Sequence, residues 1–272
     1  MKKKYPSIRE IREAHSWKRN YERFLPVSRF IFRPVSFLVT WLAIRLGLTS
    51  EAVSWLSGVV GLTGCIFLTS RNETLLVAGI GLLLLFNLLD CVDGSIARTM
   101  KTENPYGRFL DSVCGGIVDL IFWGVIGVLA FRHQSLTVCP DILGYRSLFW
   151  LILGCVTSYL YIFLGYLEQT FDELLRVHWQ KFLITKNKSA RAFSMEDNVA
   201  ASTDTQVNAV LRTINNNLRV RETHYLLLIF AFWLKAIDIL LFTYFFYYLS
   251  QNIVLLVAYS RRGRIIKIKH PL

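Results

Sequence analysis

The stretch Thr74-Leu75-Leu76-Val77-Ala78-Gly79-Ile80-Gly81-Leu82-Leu83-Leu84-Leu85-Phe86-Asn87-Leu88-Leu89 runs without a charge straight into Asp90-Cys91-Val92-Asp93-Gly94-Ser95-Ile96-Ala97-Arg98. An apolar helix of roughly 20 residues crosses the hydrocarbon core of a bilayer, about 30 Å thick. The first segment therefore reads as a membrane span, and the acids after it stand at a membrane surface. Ionisable groups at such a place are costly, which makes them candidates for function.

Outward from this segment the same pattern recurs. Spans are predicted over Ala52–Ser70, Thr74–Leu89, Gly107–Phe131 and Leu148–Leu167. The last apolar stretch, His224–Tyr259, is too long for one span and carries Lys235 and Asp238 near its middle, so two helices divided there are expected. The fold class expected is an all-α integral membrane protein with six transmembrane helices. Composition agrees: 53% of the 272 residues are hydrophobic and 18% charged, against roughly 45–50% and 25% in soluble domains.

The formal net charge of +12 would point to nucleic acid in a soluble protein. Here the basic residues divide by topology. With the N-terminus inside, 27 of the 31 Lys and Arg fall on the cytoplasmic side and three, Arg71, Arg132 and Arg146, on the other. That asymmetry sets orientation and accounts for the basic charge through anionic lipid, with no nucleic-acid partner. Both termini and the acidic cluster are expected at the cytoplasmic face.

Residues 1–50 lack the compact apolar core and cleavage site of a signal peptide. Ile8, Ile11, Trp17, Phe24 and Leu25 recur at helical spacing among basic residues, as in a helix lying on the membrane surface. Val35–Leu46, too short to span, is expected to be a second interfacial helix. The membrane domain is placed at 51–260 with a cytoplasmic insert at about 167–223, and a basic tail follows over 261–272. Within the insert, Phe171, Leu174, Leu175, His178 and Phe182 extend the fourth span, Thr185–Thr205 reads as a polar loop, and Val207, Val210, Leu211, Ile214 and Leu218 form another apolar face. The five cysteines, at 65, 91, 114, 139 and 155, are odd in number and mostly inside apolar runs. They indicate neither a disulfide framework nor a zinc site.

Asp90 and Asp93 are three apart and share a helix face. Asp111 lies one turn inside the next span on the same side of the membrane. If the two helices are neighbours, three carboxylates converge. Such a group repels itself unless a cation intervenes, and Mg²⁺ characteristically takes a few carboxylates together with phosphate oxygens. Gly94 is expected to end its helix and let a ligand approach, Arg98 offers a fork for phosphate, and Gly107 leaves room beside the third span. Arg219, Arg221 and His224 read as the basic flank of the fifth span.

The segment from Asp90 to Asp111 resembles the signature of the CDP-alcohol phosphatidyltransferase family, D-x-x-D-G-x-x-A-R-x8-G-x-x-x-D-x-x-x-D. Asp90, Asp93, Gly94, Ala97, Arg98, Gly107 and Asp111 all match it. The entry to the first span, Leu48-Thr49, is also similar, although the family's usual Pro-Asn after that Thr is here Ser50-Glu51. The resemblance implies attack of an acceptor hydroxyl, on a lipid, polyol or sugar alcohol, upon the β-phosphorus of a CDP-alcohol, with release of CMP. It implies Mg²⁺ or Mn²⁺, as two ions, held by Asp90, Asp93 and Asp111, with Gly94, Ala97, Arg98 and Gly107 around the cytidine and diphosphate. A homodimer is a further candidate assembly.

One position departs from the signature. The family's final aspartate, metal ligand and general base, falls at Gly115. Asp119 is eight residues past Asp111, about 12 Å along the helix and some 80° around it, so it does not readily share an ion with Asp111 and is better suited to pairing with a neighbouring helix. Three readings stay open. The acceptor or its phosphate supplies the base; another residue does, with Glu103, Glu168, His178 and Asp119 as candidates; or the chain binds CDP-alcohol or lipid and regulates a partner without turnover. Gly115-Gly116 would then either enlarge the acceptor pocket or serve close helix packing.

Overall fold

The computed structural model describes residues 5–16, 25–138, 148–185 and 206–269, and every regular element in them is helical. Trp17, Phe24, Cys139, Arg146 and most of the expected polar loop lie outside the described residues, as do the side chains of His178, Phe182, Val207, Val210 and Leu211. Helix α1 (Ile8–Ala14) starts with a capping box in which Ser7 and Glu10 satisfy one another's backbone N–H groups. A π-helical turn at Ser28–Phe32 leads into α2 (Arg33–Arg45). Then come α3 (Ser50–Leu68), α4 (Glu73–Met100) and α5 (Pro105–Arg132), and after a short 3₁₀ turn α6 (Leu148–Thr185). The chain closes with α7 (Gln206–Arg219), α8 (Arg221–Trp233) and α9 (Ile237–Lys269).

Five of these, α3, α4, α5, α6 and α9, contain apolar stretches long enough to cross a bilayer. The sixth expected span is the exception. The break does fall at Lys235, which takes a left-handed backbone conformation (φ 55°), and α9 restarts at Ile237. Yet α8 has only 13 residues, about 20 Å of helix. Its N-terminal Arg221 begins inside the bundle, beside α4 and α5, so α8 does not have the length of a full span. Asp238 marks the turn at the opposite end, where its carboxylate accepts the backbone N–H of Val138 at 3.0 Å.

Gly94 does not end its helix. Helix α4 continues to Met100 and stops at Lys101, a left-handed cap whose N–H returns to Ala97 and Arg98 carbonyls. The reason lies in packing: Leu89, Val92 and Ile96 are buried against Ile11, Phe37, Ala43 and Ile44, so α1 and α2 clamp the last turns. At 28 residues, or about 42 Å, α4 extends well past a 30 Å hydrocarbon layer. Asn72, which begins an Asn-x-Thr sequence, serves as the N-cap of α4 and accepts the N–H of Thr74 at 2.9 Å. Three of the cysteines, Cys65, Cys91 and Cys114, are buried as expected of small hydrophobes.

The bundle packs as α3 against α4 and α5, α5 against α6, and α6 against α9. Small residues set the spacing. A Cβ on Gly127 would lie 2.6 Å from the Trp150 carbonyl oxygen, and one on Gly154 would lie 2.7 Å from that of Trp123. The backbones of α5 and α6 therefore touch at this crossing. Gly154→Leu is expected to force the helices apart at a cost of at least about 1–3 kcal/mol, read as a lowered thermal midpoint of the purified protein.

Candidate active site

Helices α3, α4 and α5 meet at one end of the bundle around an open cleft. Six residues singled out in the sequence, Asp93, Gly94, Ala97, Arg98, Gly107 and Asp111, line it together. Each is placed for a local reason. Gly94 faces the Arg98 guanidinium, which lies 3.0–3.1 Å from where a Cβ would stand; the missing side chain gives the arginine its room. Asn104 caps α5 by accepting the N–H of Gly107 at 2.7 Å, and its amide donates to Glu51 Oε1 at 3.2 Å, tying the start of α5 to the start of α3.

Asp93 is buried, with 2% of its surface exposed, and a buried carboxylate needs hydrogen-bond donors. Ser54 Oγ donates to its Oδ2 at 2.5 Å, and the N–H of Gly94 donates to its Oδ1. Ser50 Oγ donates to the Asp93 backbone carbonyl at 3.0 Å. The sequence reading missed both serines. Their signal was present: Ser50, Ser54 and Ser57 recur every three or four residues, a polar line on one face of an otherwise apolar span. Ser54→Ala removes a hydrogen bond to a charged group, worth about 1.5–3 kcal/mol, and is expected to lower the affinity of the cleft for divalent metal by about 10–100-fold, measured by Mn²⁺ titration.

Asp90 and Asp119 are held elsewhere. Arg221, from α8, donates through Nη1 to Asp90 Oδ1 at 2.9 Å and through Nε to both oxygens of Asp119 at 3.0 and 3.1 Å. Asp119 thus pairs with a neighbouring helix. Arg221, read in the sequence as a flank, is instead the hub of three helices. Among the described residues no set of three or more His, Cys, Asp or Glu side chains is arranged to hold a metal ion. Asp93 and Asp111 line the cleft, while Asp90 is drawn to the guanidinium.

The other candidates separate in the same way. Glu103 lines the cleft. Glu168 is bonded to Arg219 at 2.6 Å. Burial alone would push the Arg219 guanidinium down, but this carboxylate outweighs it and the net shift is upward. His224 is buried among Trp123, Tyr244 and Phe122, with Nε2 at 3.0 Å from the Leu218 carbonyl oxygen and 2.9 Å from Tyr248 Oη, so its surroundings are those of a core residue.

The donor set in the cleft suits one hard cation. Two carboxylates, Asp93 and Asp111, act on one another with like charge, and Mg²⁺ binds through one or two carboxylates when phosphate and water supply the rest. Glu103 is a third carboxylate on the lining, whereas Gly115 contributes no donor and Asp90 is engaged by Arg221. The cleft also holds a donor for an anion: Nε of Arg98 is buried and has no hydrogen-bond partner among the described residues.

The chain is 28% identical over 110 residues to the phosphatidylinositol phosphate synthase of Mycobacterium tuberculosis strain H37Rv, covering 40% of this chain and 50% of that one. Against the phosphatidylinositol phosphate synthase of Mycobacterium marinum it is 28% identical over 135 residues, covering 49% and 55%. The chain spans about half the length of these curated relatives. The profile of CDP-alcohol phosphatidyltransferases matches residues 48–259, from the residue before the α3 cap to the last turns of α9. By that match over most of its length, the chain belongs to the CDP-alcohol phosphatidyltransferase family.

Proposed function

We propose that this protein transfers a phosphatidyl-like group from a CDP-alcohol to a hydroxyl acceptor and releases CMP, with the cleft between α3, α4 and α5 as its site. The observation that carries the reading is the cleft itself: two acids on its lining, Asp93 and Asp111, beside Arg98, whose Nε has no hydrogen-bond partner among the described residues. Arg98 takes a phosphate oxygen of the donor, assisted by the N-terminus of α5, where aligned N–H groups favour anions. Gly94, Ala97 and Gly107 give the cytidine and diphosphate room to approach the two helices. Asp93 and Asp111 would hold Mg²⁺ or Mn²⁺, which when bound neutralises diphosphate charge and stabilises the leaving phosphate.

In the transfer, the acceptor oxygen bonds to the phosphorus that carries the alcohol. The bond from that phosphorus to the bridging oxygen breaks, and its electron pair leaves with CMP. We assign the hydroxyl proton to Glu103, the member of the base candidates whose described side chain lines the cleft. Asp119 is unsuited, since both of its oxygens accept from Arg221. Glu103→Gln is expected to lower kcat by about 10²–10⁴-fold and to leave KM for the donor within a few-fold.

The site end is assigned to the cytoplasm, because Arg33, Arg98, Lys101 and Arg108 flank it and the chain's basic residues divide 27 to three in that sense. The relatives' name makes a phosphorylated inositol the first acceptor to try. The test is CMP release by the purified protein in phospholipid nanodiscs with Mg²⁺, CDP-diacylglycerol and a panel of inositol phosphates, polyols, sugar alcohols and lipid alcohols. Turnover with one acceptor supports the proposal. The engagement of Asp90 by Arg221 favours a second reading, a relative that binds the donor without turnover; Mg²⁺-dependent donor binding with no CMP from any acceptor would support that one.

A further inference from the structure

Asp90 precedes Asp93 by three residues on α4, and Gly115 follows Asp111 by four on the antiparallel α5, so both lie one turn farther into the bundle than the cleft acids. The space between them is filled by Arg221. Its guanidinium ties α8 to Asp90 on α4 and to Asp119 on α5, and its Cζ lies 5.4 Å from the Phe86 ring centroid. A Cβ on Gly115 would stand 2.5 Å from Nη2, closer than any real contact. Glycine at 115 is thus the residue that leaves this seat for the arginine. Among the described residues Nη2 has no hydrogen-bond partner.

Resting on the function proposed above, we infer that Arg221 is a resident cation of the active site: its fixed charge neutralises Asp90 at the inner end, so the cleft takes a single divalent ion between Asp93 and Asp111. A guanidinium suits this role because it stays charged and presents several donors in one plane, enough to bridge two carboxylates and keep one donor for a ligand oxygen. Lysine, a compact point charge, lacks the planar fork that meets both oxygens of Asp119 while reaching Asp90. Arg221 therefore acts as a positioning residue for Asp90. Gly115 and Arg221 form one unit, in which either residue requires the other.

The test counts ions. Mn²⁺ binding to the full chain in nanodiscs is followed by electron paramagnetic resonance with saturating CDP as the nucleotide probe. One ion per chain is expected for the natural sequence, and one for Gly115→Asp, where Arg221 pairs with the added carboxylate. The double variant Gly115→Asp/Arg221→Ser is expected to bind two. Two ions in the natural protein, or one in the folded double variant, would overturn the inference and leave the proposed function standing. No bound ion in the natural protein would overturn the metal reading itself, and this inference with it. Arg221→Gln provides a second measurement that does not depend on the double variant: releasing Asp90 is expected to tighten Mn²⁺ binding by about 10-fold or more, and unchanged affinity contradicts the assignment.

Discussion

Asp93→Asn and Asp111→Asn are each expected to lower CMP release by at least about 10³-fold, the scale set by removing a preorganised charge from a site that stabilises phosphoryl transfer. The two should fail in distinguishable ways. Asp93 is buried and held by Ser54 and Gly94, so its replacement also disturbs the α3–α4 contact and lowers thermal stability. Asp111 is exposed at the cleft, and its replacement should leave the thermal midpoint nearly unchanged. Equal activity of either variant and the natural protein, at matched expression and saturating donor, would remove the cleft from the mechanism.

Arg221→Ala carries the largest expected effect on stability. Side-chain exposures of 23% for Arg221, 26% for Asp90 and 14% for Asp119 place the triad largely out of water. Removing the shared cation leaves two carboxylates facing each other without a partner, which costs about 3–5 kcal/mol. The thermal midpoint in detergent should fall accordingly. Asp119→Asn in the Arg221→Ala background should cost far less than Asp119→Asn alone, because the pair acts as one unit. Additive losses would show that Arg221 and Asp119 are not coupled.

Much of this arrangement was legible in the sequence. The apolar runs placed α3, α4, α5 and the start of α6 to within a few residues except at the far end of α4, since burial of an apolar helix is local information. The six cleft residues were legible because acids, small residues and an arginine at helical spacing cannot share a membrane surface without a ligand or a partner. What was hidden depended on packing between distant segments. Helix α4 runs past its charges because Ser54 satisfies Asp93 and because α1 and α2 cover Val92 and Ile96. The short α8 was hidden for a similar reason: Arg221 precedes an apolar run as a flank would, and nothing near it in sequence shows that Asp90 and Asp119 lie 131 and 102 residues earlier at its side.

The most direct test follows the phosphorus. CDP-diacylglycerol labelled at the phosphorus attached to diacylglycerol is incubated with the purified protein, Mg²⁺ and the acceptor that supports turnover. The proposed transfer predicts all of the transferred label in a new phospholipid, with an equal amount of unlabelled CMP. Label released as free phosphate or as phosphatidic acid, or donor bound and recovered intact with every acceptor, would contradict it.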